Sequence, residues 1–447
     1  MSNKNILDLT KLTLDLLEVI DRKMISELFE LWHIYRKSDL IRLVIEFLTL
    51  KVFDENRNKD KNQTLEFYIL PSEIYKNGFP KDSFKIRINQ LYKNIKQEYK
   101  NILCEPLFQF QSSSDNKLFR PEQEKLLVKV VETFQKNSIL KSDDNILNQI
   151  LDRLDCHSGI LFTPTLIAEN IIKILNPQSN KEFCDPSCRI SNFLIEASKY
   201  ADSCVNYYGF NFSPIEVKFA ELNLVLNKRN NITVHNISSL SQKLLNDKSI
   251  SNQSDFSIQN YNPKTWNHLF DNSKNLKKYK IVATCPYFGK DEYLQRGIAD
   301  MYETYTEKAK KDDGTISDLP SSIDVSILFL EKAYKSLEDG GRMAIILPDS
   351  ILISKNYKYV RKWFFDKVRI IALCNLPDNT FNNMRISTAV IIAYKPKTNE
   401  QHLLEKDYEI YTKSYKTLDE FDIIQNEFQE YLKNQESEIK LAFHCNK

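Results

Sequence analysis

Glycine is nearly missing from this sequence. Eight glycines stand among 447 residues, where average usage near 7% would place about 31. They are Gly78, Gly159, Gly209, Gly289, Gly297, Gly314, Gly340 and Gly341. No P-loop, no kinase-type glycine loop and no G-x-G-x-x-G can be written from them, which excludes the commonest nucleotide-binding fingerprints. An excess of one charge is lacking too. With 62 basic and 60 acidic residues the net charge is +2, so a nucleic-acid surface has to come from local clustering. Long apolar runs are absent: Leu40 to Phe53 is too short for a bilayer and carries Arg42, Glu46 and Lys51, so it reads as a buried helix. The start, MSNKNILDLTK, has no signal-peptide core. The eight cysteines form no C-x-x-C pair, Cys184 and Cys188 coming nearest. The six histidines (His33, His157, His235, His268, His402, His444) show no H-x-x-x-H spacing. A reduced, cytoplasmic protein without membrane or metal is expected.

Hydrophobic residues at 42% and charged residues at 27% give enough apolar surface for a large core in two or three domains. Residues 1–150 read as a helical domain, since Leu9, Leu12, Leu16, Leu17 and Ile20 keep a 3.6-residue period, as do Leu40, Val44, Phe47 and Leu48. Loops are expected at Asn56 to Asn62 and Gln111 to Asn116. Residues 151–397 alternate strands with helices. The strands fall at Glu182 to Cys184, Val205 to Phe210, Lys280 to Ala283, Met343 to Leu347, Ile370 to Leu373 and Ala389 to Tyr394. Helices are predicted over Pro214 to Leu226 and Ser326 to Leu337, the latter stopped by Gly340-Gly341. This order indicates a doubly wound α/β sheet. Charged loops are expected at Asn267 to Lys280 and Glu303 to Pro320. The last segment, 398–447, reads as polar and helical from Leu404 to Phe443.

Six motifs lie along the α/β region. Phe162-Thr163-Pro164 precedes a helix bearing Ile167, Ile171, Ile174 and Leu175, with Thr163 suited to cap it and Pro164 to its first turn. Asp185-Pro186-Ser187-Cys188-Arg189-Ile-Ser191 follows the first strand, and Gly209-Phe-Asn211 ends the second. Cys285-Pro286-Tyr287-Phe288-Gly289 and Leu347-Pro348-Asp349 come later, then Asn375-Leu-Pro-Asp-Asn-Thr-Phe381 with Ser387-Thr388. In this order and spacing the chain resembles the adenine-N6 DNA methyltransferases, specifically the modification subunit of type I restriction systems, over nearly its whole length. The resemblance implies a Rossmann-like methyltransferase domain behind a helical N-terminal domain, with S-adenosylmethionine as cofactor. Phe162-Thr163-Pro164 would then support the methionine end of the cofactor. The implied partners are DNA and either a specificity subunit or an active methyltransferase subunit, docked through the helix from Leu404 to Leu432.

The chemistry-bearing positions depart from the family pattern. That pattern ends the first strand in D-P-[AS]-C-G-x-G, whose glycines let the backbone approach the cofactor. Asp185, Pro186, Ser187 and Cys188 remain, but Arg189 and Ser191 replace both glycines. An arginine there enters the cofactor's volume or takes backbone angles it tolerates poorly. Asn211 stands for the acid that holds the ribose hydroxyls and offers one acceptor oxygen instead of a carboxylate. Ser238 stands for the acid that accepts from the adenine amino group. In the tetrapeptide [ND]-P-P-[YF], Pro286 and Phe288 keep the carbonyl and the base-stacking ring, with Tyr287 between them. Cys285 is a poor acceptor for the target amino group.

Five substitutions on cofactor and catalytic contacts put cofactor binding in question. They predict a degenerate subunit, with methyl transfer lost or impaired, that keeps the fold to bind DNA or a partner. The rival readings are an active adenine methyltransferase with an atypical site and a scaffold that no longer meets nucleic acid. A cytosine-C5 type nucleophile at Cys285 is disfavoured, because that cysteine precedes proline instead of following it; a small buried thiol is expected.

Overall fold

The computed structural model describes residues 47–57, 65–98, isolated positions between 124 and 139, 162–177, 182–200, 206–229, 231–240, 269, 275–291, 301–309, 323–378, 380–381, 386–405 and 407–443. The expected helix around Leu9 to Ile20, the loop at Gln111 to Asn116 and Gly159 lie outside them. The chain divides into two compact units, Met1–Ile160 with Glu221–Lys228, and Leu161–Ala220 with Arg229–Lys447.

In the first unit, residues 47–57 are helical and bury Phe47, Leu48, Leu50, Val52 and Phe53, as the apolar run predicts. The Asp54 carboxylate accepts the backbone N–H groups of Glu66 and Phe67, each at 2.7 Å. Helix α1 (Asp82–Glu98) turns Phe84, Ile88, Leu91 and Ile95 inward at three- and four-residue spacing. From its outer turn Arg87 donates to both Glu73 oxygens, at 2.7 and 2.6 Å, and holds that carboxyl down at about 2.

The second unit is built on an eight-stranded sheet. Its strands are β1 (Phe183–Asp185), β2 (Tyr207–Asn211), β3 (Ile232–Asn236), β4 (Tyr279–Thr284), β7 (Leu337–Pro348), β8 (Arg369–Asn375), β9 (Thr388–Tyr394) and β10 (Tyr411–Ser414). A separate two-stranded ribbon pairs β5 (Lys290–Asp291) with β6 (Ile323–Asp324). The main order is β10-β8-β9-β7-β4-β1-β2-β3. Only β9 runs antiparallel to its neighbours. Connecting helices are α2 (Thr165–Leu175), α3 (Asn192–Ser198), α4 (Pro214–Leu226), α5 (Glu303–Ala309), α6 (Val325–Lys335) and α7 (Lys358–Phe365). Every residue of β7 from Gly340 onward is buried, the mark of a strand covered on both faces. Met343, Ile345 and Leu347 on one face join a cluster with Leu330 and Ala333 of α6 and Trp363 and Phe364 of α7. The sheet order reverses between β1 and β4, and in such sheets ligands bind outside the carboxyl ends of the strands at that point.

Four local expectations are corrected. Helix α2 begins at Thr165 with Pro164 before it, and Thr163 supplies no cap; its carbonyl instead accepts from the Asn192 side chain at 2.7 Å. Gly340-Gly341 does not stop a helix, because α6 ends at Lys335. The pair sits where the β7 register shifts against β4, with Gly340 at φ 73, and glycine tolerates that left-handed turn. Glu303 to Ala309 is helix α5 and not loop. The buried Glu331 carboxylate accepts the N–H groups of Glu303 and Thr304, both at 2.8 Å, and so caps its start. The polar tail is not one helix. Tyr411–Ser414 pairs parallel with β8 as the edge strand β10, and three short helices follow, α8 (Leu418–Phe421), α9 (Ile424–Leu432) and α10 (Ser437–Phe443). Phe421, Ile424, Phe428, Leu432, Ile439 and Phe443 are fully buried. Asp422 accepts from Asn170 of α2 at 3.1 Å, and Glu436 pairs at 2.7 Å with Arg369, a buried residue at the start of β8.

Candidate functional site

The loops after β1, β2 and β4 meet at the reversal point of the sheet. In the first, the Asp185 carboxylate accepts the Ser187 N–H at 3.0 Å, and Cys188 N–H donates to Phe210 O at 3.0 Å. Arg189 and Ser191 then take left-handed backbone, φ 49 and 70, a region that normally selects glycine. The loop thus holds two side-chain-bearing residues in backbone that they disfavour. Beneath it Gly209 allows close approach: a Cβ there would lie 2.6 Å from Leu194 Cδ1 and 2.9 Å from Cys188 Sγ.

The Arg189 side chain turns inward and is only 5% exposed. Its guanidinium stacks over Tyr287, 3.4 Å from the ring centre, and Nη1 lies 3.1 Å from Glu216 Oε1. The other Glu216 oxygen accepts from Asn211 Nδ2 at 2.7 Å and from the Tyr287 hydroxyl. Asn211 Oδ1 accepts the Ser213 N–H at 3.0 Å and the Tyr287 hydroxyl at 3.2 Å. Arg189, Glu216, Asn211 and Tyr287, from the ends of β1, β2 and β4, thus form one bonded group. Burial is the strongest single influence on the Arg189 pKa and lowers it, but the Glu216 carboxylate, Tyr287 and Cys285 together outweigh it and raise the pKa overall.

A cavity of about 10 Å³ is lined by Thr163, Asp185, Ser187, Cys188, Arg189 and Cys285 among others. Ser187 Oγ and Arg189 Nε have no hydrogen-bond partner among the described residues. A polar void of that size suits about one water molecule. Burial pushes Asp185 up to about 7 and the Cys285 thiol up to about 12, the latter opposed in part by a hydrogen bond with Thr163.

Residues 144–445 match the N-6 DNA methylase family model. The chain belongs to the N-6 DNA methylase family. It is similar to the type I restriction enzyme StySJI methylase subunit of Salmonella typhimurium, with 24% identity over 73% of this chain and 59% of the relative. Against the type I restriction enzyme EcoKI methylase subunit of Escherichia coli, identity is 25% over 56% of this chain and 43% of the relative. The chain therefore spans about half the length of these relatives. The same fold occurs in the type I restriction-modification system methyltransferase subunit from Streptococcus thermophilus, with a TM-score of 0.58, 18% identity, and 94% and 93% of the two chains covered.

Within this N-6 DNA methylase fold, Thr163, Asp185, Pro186, Ser187, Cys188 and Cys285 are buried together around the loop after β1, and Asn211 closes its far side. Phe162 is buried and Pro164 half-buried at the start of α2. Ser238 is half-buried, but its neighbour Ser239 makes the contact with the loop, donating to Pro186 O at 2.6 Å. Of the tetrapeptide, Cys285 and Pro286 are buried and Tyr287 and Phe288 half-buried. The Phe288 ring meets Phe381 edge-on at 5.7 Å, and Phe212 packs on Tyr287 at 4.8 Å. Sequence reasoning missed Glu216. The available signal was an acid in the first turn of the helix after Asn211, with a new arginine upstream needing a counter-charge.

Among the described residues no cluster of His, Cys, Asp and Glu could hold a metal ion, and no helix is long and apolar enough to cross a membrane.

Proposed function

We propose that this chain is a methyltransferase-like subunit of a type I restriction-modification assembly in which methyl transfer is lost or impaired and which acts by binding DNA or a partner subunit. One observation carries the reading: the Arg189 guanidinium is buried against Tyr287 and Glu216 in the loops where the resembled family holds its donor, and the cavity beside it, about 10 Å³, has room for about one water molecule. The residues present do not fit S-adenosylmethionine. Arg189 stands where the cofactor loop needs glycine, and Asn211, in the ribose position, is committed to Glu216 and Tyr287. Cys285, buried and protonated, is a poor acceptor for an adenine amino group. DNA binding is supported by the retained Phe288 ring, half-buried beside Phe381 and able to stack on a base. The tail uses its apolar side on its own domain, so a specificity subunit or an active methyltransferase subunit would meet its outer polar side.

Calorimetric titration of the full chain with S-adenosylmethionine tests this reading. No heat of binding is expected up to millimolar donor, while duplex DNA should bind with a steep salt dependence. Micromolar donor affinity, or methylation of adenine by the unmodified chain, would instead establish an active methyltransferase with an atypical site.

A further inference from the structure

We infer that Glu216, Tyr287 and Asn211 form a guanidinium cradle in which Arg189 acts as a built-in surrogate for the methyl donor, tying the donor loop to the tetrapeptide loop. The inference rests on the donor-site reading above and goes beyond it, since closure of a site does not require that the closing side chain hold the fold together. Three observations support it. The loop keeps left-handed backbone at Arg189 and Ser191, a strained course that persists only when the surroundings over-determine it. The guanidinium lies over an aromatic face at 3.4 Å and pairs through Nη1 with a carboxylate at 3.1 Å, the two partners a desolvated planar cation seeks. The same carboxylate also receives Asn211 and the Tyr287 hydroxyl, so the ends of β1, β2 and β4 converge on one charge pair. The tetrapeptide geometry is thereby preset and indifferent to donor.

Thermal unfolding of the full chain tests this with methylguanidinium chloride as the probe. Glu216→Gln, which leaves the buried guanidinium without counter-charge, should lower the midpoint by roughly 5–10 °C. Arg189→Gly should also lower it, and millimolar methylguanidinium should recover part of that loss by occupying the emptied cradle. The parent and the Arg189→Gly, Glu216→Gln double variant should show no such recovery. An equal effect of methylguanidinium on parent and Arg189→Gly, or none on either, overturns the inference. If Arg189→Gly does not fold, Arg189→Met with Glu216→Gln decides. A combined loss smaller than the sum of the single losses supports a coupled cradle, and simple additivity overturns it. Failure of the parent to bind DNA would sink the functional reading without moving any of these readouts.

Discussion

The Arg189 guanidinium lies 3.4 Å above the centre of the Tyr287 ring. In the reading proposed above, the first residue belongs to the donor loop and the second to the tetrapeptide on the acceptor side. In this chain the two loops are bound to each other.

Removing the closing side chain should reopen the site. Arg189→Gly with Ser191→Gly places glycine at both left-handed positions and frees the guanidinium volume. The double variant should gain roughly a hundredfold or more in affinity for S-adenosylmethionine over the parent, read by calorimetry. Methyl transfer should stay undetectable until Cys285→Asn is added, because an acceptor for the adenine amino group is still missing.

Cys285 should be inert in the folded protein. It is buried, and its thiol is pushed up to about 12, so at pH 8 only about one molecule in ten thousand carries the thiolate. Mass spectrometry after N-ethylmaleimide treatment should find this residue unlabelled in native protein and labelled after unfolding. Rapid native labelling would return the nucleophile reading to contention.

Lys332 should set a pH dependence of stability. This α6 residue is 2% exposed and its Nζ has no hydrogen-bond partner among the described residues; burial pushes its pKa down to about 7. An unfolded lysine titrates near its ordinary value, so between about pH 7 and 10.5 the unfolded chain binds the extra proton and stability rises with pH. From pH 7.5 to 9.5 the parent should gain about 2 kcal/mol relative to Lys332→Met in urea unfolding. The variant should be the more stable of the two at pH 7.5, because it buries no amine.

The tail should not be separable. Deleting residues 398–447 removes strand β10 and bares the contacts of Phe421, Ile424 and Phe428. A single Phe428→Ala should cost about 3–5 kcal/mol. The truncated chain should be insoluble or lack near-ultraviolet circular dichroism. A folded truncation would show that the α/β unit stands without its tail.

Much of the fold was legible because the strands of a covered sheet are continuous apolar runs. Met343 to Leu347 and Ala389 to Tyr394 could be read directly, and β7 and β9 contain them. Tyr411–Ser414 escaped because an edge strand carries polar residues on its open side, and a helix pattern begins soon afterwards. Helix α5 escaped because its capping group is the carboxylate of Glu331, which lies well downstream in the chain.

The sequence alone determined the alternation of strands and helices, the order of the motifs, and the presence of Arg189 and Ser191 where the resembled family pattern has glycine. These follow from local chemistry: period, turn propensity and residue identity at a motif position. Only the tertiary structure decided what Arg189 does. Its partners Glu216 and Tyr287 are distant in the chain and come within reach because β1 lies between β2 and β4 in a parallel sheet, which brings the carboxyl ends of all three strands to one edge. A buried cation must find a counter-charge. Which acid supplies it depends on that closure, a property of the folded sheet and not of any local segment.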